Sequence, residues 1–216
     1  MKYRKLGAAG AELSEIGFGA WGVGGSEAGM PAYGRTDDEE SKAALRRAFD
    51  LGVTFFDTSG VYGNGHSETM IGEALGTFRS RIVLATKAGL LDAEGNQDFS
   101  PAHIRRSLEG SLERLRTEYV DLFLLHSPPL EVLREDPGII AELQNLQDEG
   151  KVRDFGISLV SPEDGLAAVK EFGFKSVQVN FNLVDQRALE NGLFDLCEKR
   201  GVGIIVRTPL CFGFLS

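Results

Sequence analysis

Asp57, Tyr62, Lys87 and His126 carry the groups of a proton relay, and each stands at or just beyond the end of an apolar run. The runs are Val53–Asp57, Ile82–Lys87 and Val120–His126, with Tyr62 following the first after a short loop. Such a set suits the reduction of a carbonyl. Hydride adds to carbon, negative charge develops on oxygen, and an acid within hydrogen-bond reach must deliver a proton there. A phenol with an ordinary pKa near about 10 is a slow acid at neutral pH, and a neighbouring ammonium lowers that value by stabilising the phenolate. Tyr62 is therefore the expected donor and Lys87 the cation beside it. An ammonium at a dry strand end keeps its proton only with a carboxylate partner, which Asp57 on the adjacent run supplies. His126 can place an N–H on the carbonyl oxygen and orient it. Taken singly, each residue has a plainer role: a loop cap, a loop aromatic, a solvated charge, a core histidine. Their placement at the same ends of successive runs selects the relay.

The elements that must position these groups follow from periodicity. Apolar runs of strand length alternate with amphipathic segments of helical length, the pattern of βα units on a parallel sheet. Strands are expected at Ser14–Gly19, Val53–Asp57, Ile82–Lys87, Val120–His126, Lys151–Ile157, Ser176–Asn180 and Val202–Val206. Helices are expected over 37–51, 67–75, 100–116, 137–149, 161–172 and 186–200, several with cap and stop signals such as Ser100-Pro101, Ser161-Pro162, Gly150 and Gly201. A small hairpin, Tyr3–Leu6 and Ala11–Leu13 around Gly7-Ala8-Ala9-Gly10, precedes the first strand. In a barrel of parallel strands the C-terminal strand ends form the active face, so the four relay residues converge on one rim.

Composition sets the outer limits. The 216 residues suit one domain, 1–216, and a formal net charge of -9 argues against nucleic acid and anionic membrane as general partners. No apolar segment spans a bilayer and the N-terminus has no signal-type stretch, so the cytoplasm is the expected location. Cys197 and Cys211 have no metal-type spacing and read as reduced thiols. The acidic loop 92–98 lacks EF-hand spacing, and no metal site is expected.

Gly17-Phe18-Gly19-Ala20-Trp21-Gly22 matches the letters of a dinucleotide fingerprint, but it leads into Val23-Gly24-Gly25-Ser26 rather than into a helix. Glycines that permit a tight strand exit are the better reading, and a barrel is favoured over a doubly wound sheet.

The motifs Phe56-Asp57-Thr58-Ser59, Tyr62-Gly63-Asn64-Gly65-His66-Ser67-Glu68, Thr86-Lys87, Leu124-Leu125-His126, Lys151–Ser158 and Gln178–Asn182 together resemble the aldo-keto reductases, in order and along essentially the whole chain. The resemblance implies an α/β protein of the (β/α)8 TIM-barrel type, of which about seven βα units and the N-terminal hairpin are present here. It implies a reductase that uses NADPH, or NADH, on a small-molecule aldehyde or ketone, with Tyr62, Lys87, Asp57 and His126 catalytic. A catalytically silent barrel relative with a binding or regulatory role is the alternative. Ser158 and Gln178 would hold the nicotinamide amide, and Arg207, Gly19, Ala20 and Trp21 would complete the cofactor side, Trp21 also walling the substrate pocket.

Two positions depart from the family pattern. Leu159 follows the serine where many members have asparagine, and Arg207 stands where many have a stacking aromatic; a planar guanidinium can also stack. The resemblance further implies an eighth strand and helix that grip the adenosine and the 2′-phosphate. The sequence reaches Ser216 soon after the seventh strand, so an open barrel with two free edges and a tendency to self-associate is expected.

Overall fold

Alternation along the strands sorts the apolar side chains into two layers. The computed structural model describes residues 1–8, 10–26 and 33–216, and Ala9 of the expected hairpin turn lies outside them. Strands β1 (Tyr3–Lys5) and β2 (Glu12–Ser14) form an antiparallel hairpin in the register Tyr3↔Ser14 and Lys5↔Glu12. The strands β3 (Phe18–Gly19), β4 (Phe55–Asp57), β5 (Val83–Ala88), β6 (Val120–His126), β7 (Val152–Ser158), β8 (Ser176–Asn180) and β9 (Gly203–Arg207) form one parallel sheet in sequence order. Its edges are β3 and β9.

On the concave side Phe55, Val83, Ala85, Leu122, Leu124 and Ile205 pack with Leu13 of the hairpin into one cluster. The alternate residues Phe56, Leu84, Phe123, Leu125, Ile157, Val177 and Val179 join the larger cluster under the helices. Each fully buried Phe or Leu contributes about 1.5–3 kcal/mol through removal of apolar surface from water. The hairpin closes the barrel bottom by docking on the turn that leads into β9: Ala8 N–H donates to Gly201 O at 2.9 Å. A Cβ on Gly7, which sits at φ +68, would lie 2.6 Å from that same oxygen.

The helices are α1 (Asp38–Asp50), α2 (His66–Leu75), α3 (Pro101–Leu115), α4 (Leu130–Glu135), α5 (Gly138–Asp148), α6 (Pro162–Ala167), α7 (Arg187–Glu190) and α8 (Leu193–Arg200). The expected caps form at Ser100 and Ser161, whose side chains accept from His103 and Glu163 N–H, and Asp37 likewise caps α1 by accepting from Glu40 N–H. Among the described residues no helix is long and apolar enough to cross a membrane.

Three elements differ from expectation. The strand expected over Ser14–Gly19 joins the parallel sheet only at Phe18 and Gly19; Ser14 itself ends β2, and its hydroxyl accepts from Thr54 and Phe55 N–H at 2.9 and 3.3 Å in place of ladder bonds. The helix expected over 186–200 breaks at Gly192, which takes φ +80 and starts α8 as a separate piece. The six-residue α4 was not expected; it follows Pro129 and buries only Leu130 and Leu133.

Candidate active site

The parity that turns Phe55, Ala85 and Leu124 inward turns Asp57, Lys87 and His126 inward one step further along β4, β5 and β6. Ser158 and Arg207 share that face at the ends of β7 and β9, and Gln178 shares it from the middle of β8. Five of the six stand at the C-terminal rim of the sheet, and Gln178 stands two residues below it.

Tyr62 is delivered by the loop between β4 and α2. Gly63, Asn64 and Gly65 take φ +60, +53 and +88 in succession, which coils the loop back over the strand ends. Gly24 makes this possible: a Cβ on Gly63 would sit 2.1 Å from Gly24 O, and one on Gly24 would sit 2.8 Å from Gly63 N. The glycines of the first strand exit therefore serve a backbone-on-backbone contact under the tyrosine. Side-chain bonds pin the same loop, with Thr58 Oγ1 donating to Ser67 Oγ at 2.9 Å and Ser67 Oγ donating to Ala20 O at 2.7 Å.

Behind the loop, Glu68 of α2 is fully buried and accepts from Thr86 Oγ1 at 2.5 Å and Arg114 Nε at 2.7 Å. This pair ties α2 to β5 and α3 on either side of the relay. The histidine-serine-glutamate motif drew attention to the segment, but nothing local in the sequence pointed to Arg114 as the partner.

Lys87 is 2% exposed, and its ammonium has three oxygen neighbours. Nζ donates to Asp57 Oδ2 at 2.8 Å, to Thr58 O at 2.7 Å and towards the Tyr62 hydroxyl at 3.3 Å. Burial works against the charge, but the Asp57 carboxylate and the Tyr62 oxygen outweigh it and hold the amine above its ordinary value. His126 stands edge-on to Tyr62, ring centroids 5.9 Å apart, with Nδ1 3.1 Å from Ser59 Oγ. Burial, then the charges of Lys87 and Arg207, push its pKa well below the usual histidine range, so the ring is neutral at physiological pH.

Ser158 and Gln178 continue the network. Ser158 Oγ donates to Gln178 Oε1 at 2.9 Å, and Gln178 Nε2 donates to Asp57 Oδ1 at 3.1 Å. Both Asp57 oxygens are thus engaged, one by lysine and one by glutamine. Arg207 Nη2 donates to Leu159 O at 3.0 Å, while its Nε is buried with no hydrogen-bond partner among the described residues. The Leu159 side chain itself joins the core beneath the helices, so this position meets the site through its main chain, whose N–H donates to Gln178 O at 2.9 Å.

A cavity of about 1010 Å³ opens in front of these groups, lined by Asp57, Tyr62, His126, Gln178 and Arg207 and reaching down the gap between β3 and β9. Trp21 forms part of its wall, in edge contact with Tyr33 at 4.9 Å and Phe212 at 6.1 Å. Gly19 also lines it, and a Cβ there would meet nothing within 4 Å. Ala20 lies behind this surface, fully buried, its N–H donating to Asp57 O at 2.8 Å and its oxygen accepting from Ser67 Oγ. Of the ten residues expected at the site, the structure gathers Asp57, Tyr62, Lys87, His126, Ser158 and Gln178 into one bonded or touching group. Arg207, Gly19 and Trp21 face the cavity beside it, and Ala20 supports it from behind.

The sheet is all parallel, and its rim carries a buried lysine-aspartate pair beneath a loop tyrosine; sequence and structural comparisons give the family. Residues 15–216 match the aldo/keto reductase family model. The chain belongs to the aldo/keto reductase family. It is 34% identical over 224 residues to the aldo-keto reductase YhdN of Bacillus subtilis, covering 100% of this chain and 64% of that protein. It is 31% identical to the uncharacterized oxidoreductase YqkF of the same organism, again over 100% of this chain and 67% of the relative. The solved structure of the aldo-keto reductase AKR11C1 from Bacillus halodurans in its holo form superposes with a TM-score of 0.86 at 31% identity, covering 100% of this chain and 69% of that one. The chain thus spans about two thirds of the length of these relatives.

Proposed function

We propose that the protein reduces an aldehyde or ketone to the alcohol at the expense of NADPH, with NADH as the alternative donor, and that Tyr62 is the general acid. One observation carries this reading: the Tyr62 hydroxyl lies 3.3 Å from a lysine that is buried, charged and held 2.8 Å from Asp57. A binding-only protein has no use for a buried ammonium aimed at a phenol.

The residues fit a nicotinamide. Among the described residues Gln178 keeps a free N–H and Ser158 a free acceptor for a carboxamide, Arg207 offers a flat cation with an unpartnered Nε, and Gly19 leaves open space at the strand exit. When bound, the cofactor supplies the hydride that adds to the carbonyl carbon. Tyr62 gives its proton to the oxygen as charge develops there, and Lys87 stabilises the phenolate that remains. Asp57 keeps Lys87 charged and in place. His126, neutral, orients the carbonyl through a ring N–H. The cavity wall of Trp21, Tyr33 and Phe212 suits the apolar part of a small carbonyl substrate. A reducing compartment such as the cytoplasm suits the two free cysteines.

Tyr62→Phe tests the assignment. Turnover followed by nicotinamide absorbance over a panel of aldehydes and ketones falls by about a hundredfold or more, the scale of general-acid catalysis, while NADPH affinity by calorimetry is retained. Undiminished turnover removes Tyr62 from the role of acid.

A further inference from the structure

Ser59 adjoins His126 at the end of β6, and the direction of its hydroxyl bears on which nitrogen of the ring carries the proton. A neutral imidazole carries one N–H, on Nδ1 or on Nε2, and the partner of one nitrogen fixes the state of the other. Ser59 Oγ lies 3.1 Å from His126 Nδ1 and 3.4 Å from Lys87 O, and Val61 N–H donates to it at 3.5 Å.

Two arrangements satisfy these contacts. In one, the hydroxyl donates to Nδ1, Oγ accepts from Val61, and the ring proton sits on Nε2. In the other, Nδ1–H donates to Oγ, the hydroxyl turns to Lys87 O, and Nε2 is left bare. The contact to the ring is the shorter by 0.3 Å, within the usual range for a hydroxyl donor to nitrogen, whereas 3.4 Å is long for O–H···O. The first arrangement therefore gives the serine proton its better acceptor. It also leaves a donor, not an acceptor, on the nitrogen turned away from Ser59.

We propose that Ser59 is a positioning residue that donates to His126 Nδ1, fixing the ring plane and keeping its proton on Nε2, where it meets a carbonyl oxygen. Burial and the nearby Lys87 and Arg207 charges keep the ring neutral, so the tautomer cannot be bypassed by a doubly protonated ring. The serine itself is 1% exposed, and among the described residues its hydroxyl meets His126 Nδ1, Lys87 O and Val61 N–H, of which the ring is the side-chain partner. The catalytic consequence rests on the carbonyl-reductase reading, but the tautomer does not.

The test is nitrogen-15 NMR of histidine-labelled protein, with His126 assigned among three histidines by its loss in His126→Gln. In the native protein the proton is found on Nε2, with Nδ1 a hydrogen-bonded acceptor. In Ser59→Ala the Nδ1 resonance moves to the position of an unbonded acceptor, and Ser59→Thr, which keeps the hydroxyl, restores it. Turnover in the same preparations falls about tenfold in kcat for the alanine variant, with KM for NADPH unchanged, and recovers in the threonine variant. A native proton on Nδ1 overturns the proposal, as does an Nδ1 resonance indifferent to Ser59→Ala. A protein with the expected NMR pattern that reduces no carbonyl under any condition sinks the functional reading and leaves the serine's role standing.

Discussion

Replacing Lys87 by methionine separates the structural from the chemical consequences of one side chain. Methionine matches the aliphatic stem and removes three donor contacts, to Asp57, Thr58 O and Tyr62. The Asp57 carboxylate then keeps only the 3.1 Å bond from Gln178 Nε2 among the described residues. Orphaning one partner of a buried pair costs about 3–5 kcal/mol, and the 17% exposure of the Asp57 side chain lets water offset part of it. The lower end, about 3 kcal/mol, is expected. For a chain of this size each kcal/mol moves Tm by roughly 2–4 °C, so melting falls by roughly 6–12 °C. Carbonyl reduction falls by about 10²–10⁴-fold as the acid loses its charged neighbour. The double variant Lys87→Met with Asp57→Asn removes the orphaned charge, so stability partly returns while activity does not. Urea melts of the wild type, both single variants and the double variant give the coupling, and single-turnover oxidation of NADPH gives the chemistry. Additive stabilities within about 0.5 kcal/mol, or near-native reduction by Lys87→Met, would refute the account of the relay.

The loop and the histidine allow further tests. Gly63→Ala adds a left-handed penalty of about 1–2 kcal/mol to an overpacking cost of about 1–3 kcal/mol against Gly24 O. Its urea midpoint and turnover both drop, whereas Gly19→Ala, with nothing within 4 Å of the new Cβ, keeps the native midpoint. For His126 the folded pKa lies below the unfolded value of about 6.5, so the unfolded chain binds more protons below that pH. Stability is full above pH about 6.5 and declines as pH falls towards the folded value, with a slope of at most about 1.4 kcal/mol per pH unit. His126→Asn removes this contribution; denaturant titrations between pH of about 5 and 7 with the same slope as the native protein would show that the ring is not held neutral.

Strand parity was legible in the sequence. A period of two forces Phe55 and Asp57, Val83 and Lys87, Leu124 and His126 onto common faces, and unbroken apolar runs mark strands covered on both sides. The direction of the parallel strands then puts every relay residue at one rim, which is why Asp57, Tyr62, Lys87 and His126 could be named together. Helix caps at Ser100 and Ser161 were readable for the same reason: they act within one turn of their own position.

Contacts between residues far apart in sequence were decided by tertiary structure. That Gln178 takes the second oxygen of Asp57 depends on the curl of the sheet, which brings β8 across from β4 although three strands intervene. Gly24 against Gly63, Arg114 against Glu68 and Ser59 against His126 depend on how a loop folds back over strand ends, and loop closure leaves no period in the sequence. The shortened first strand has the same origin. Ser14 reads as the start of a strand by its neighbours, and only in the fold does its hydroxyl take the hydrogen bonds of Thr54 and Phe55 that a ladder partner would have made.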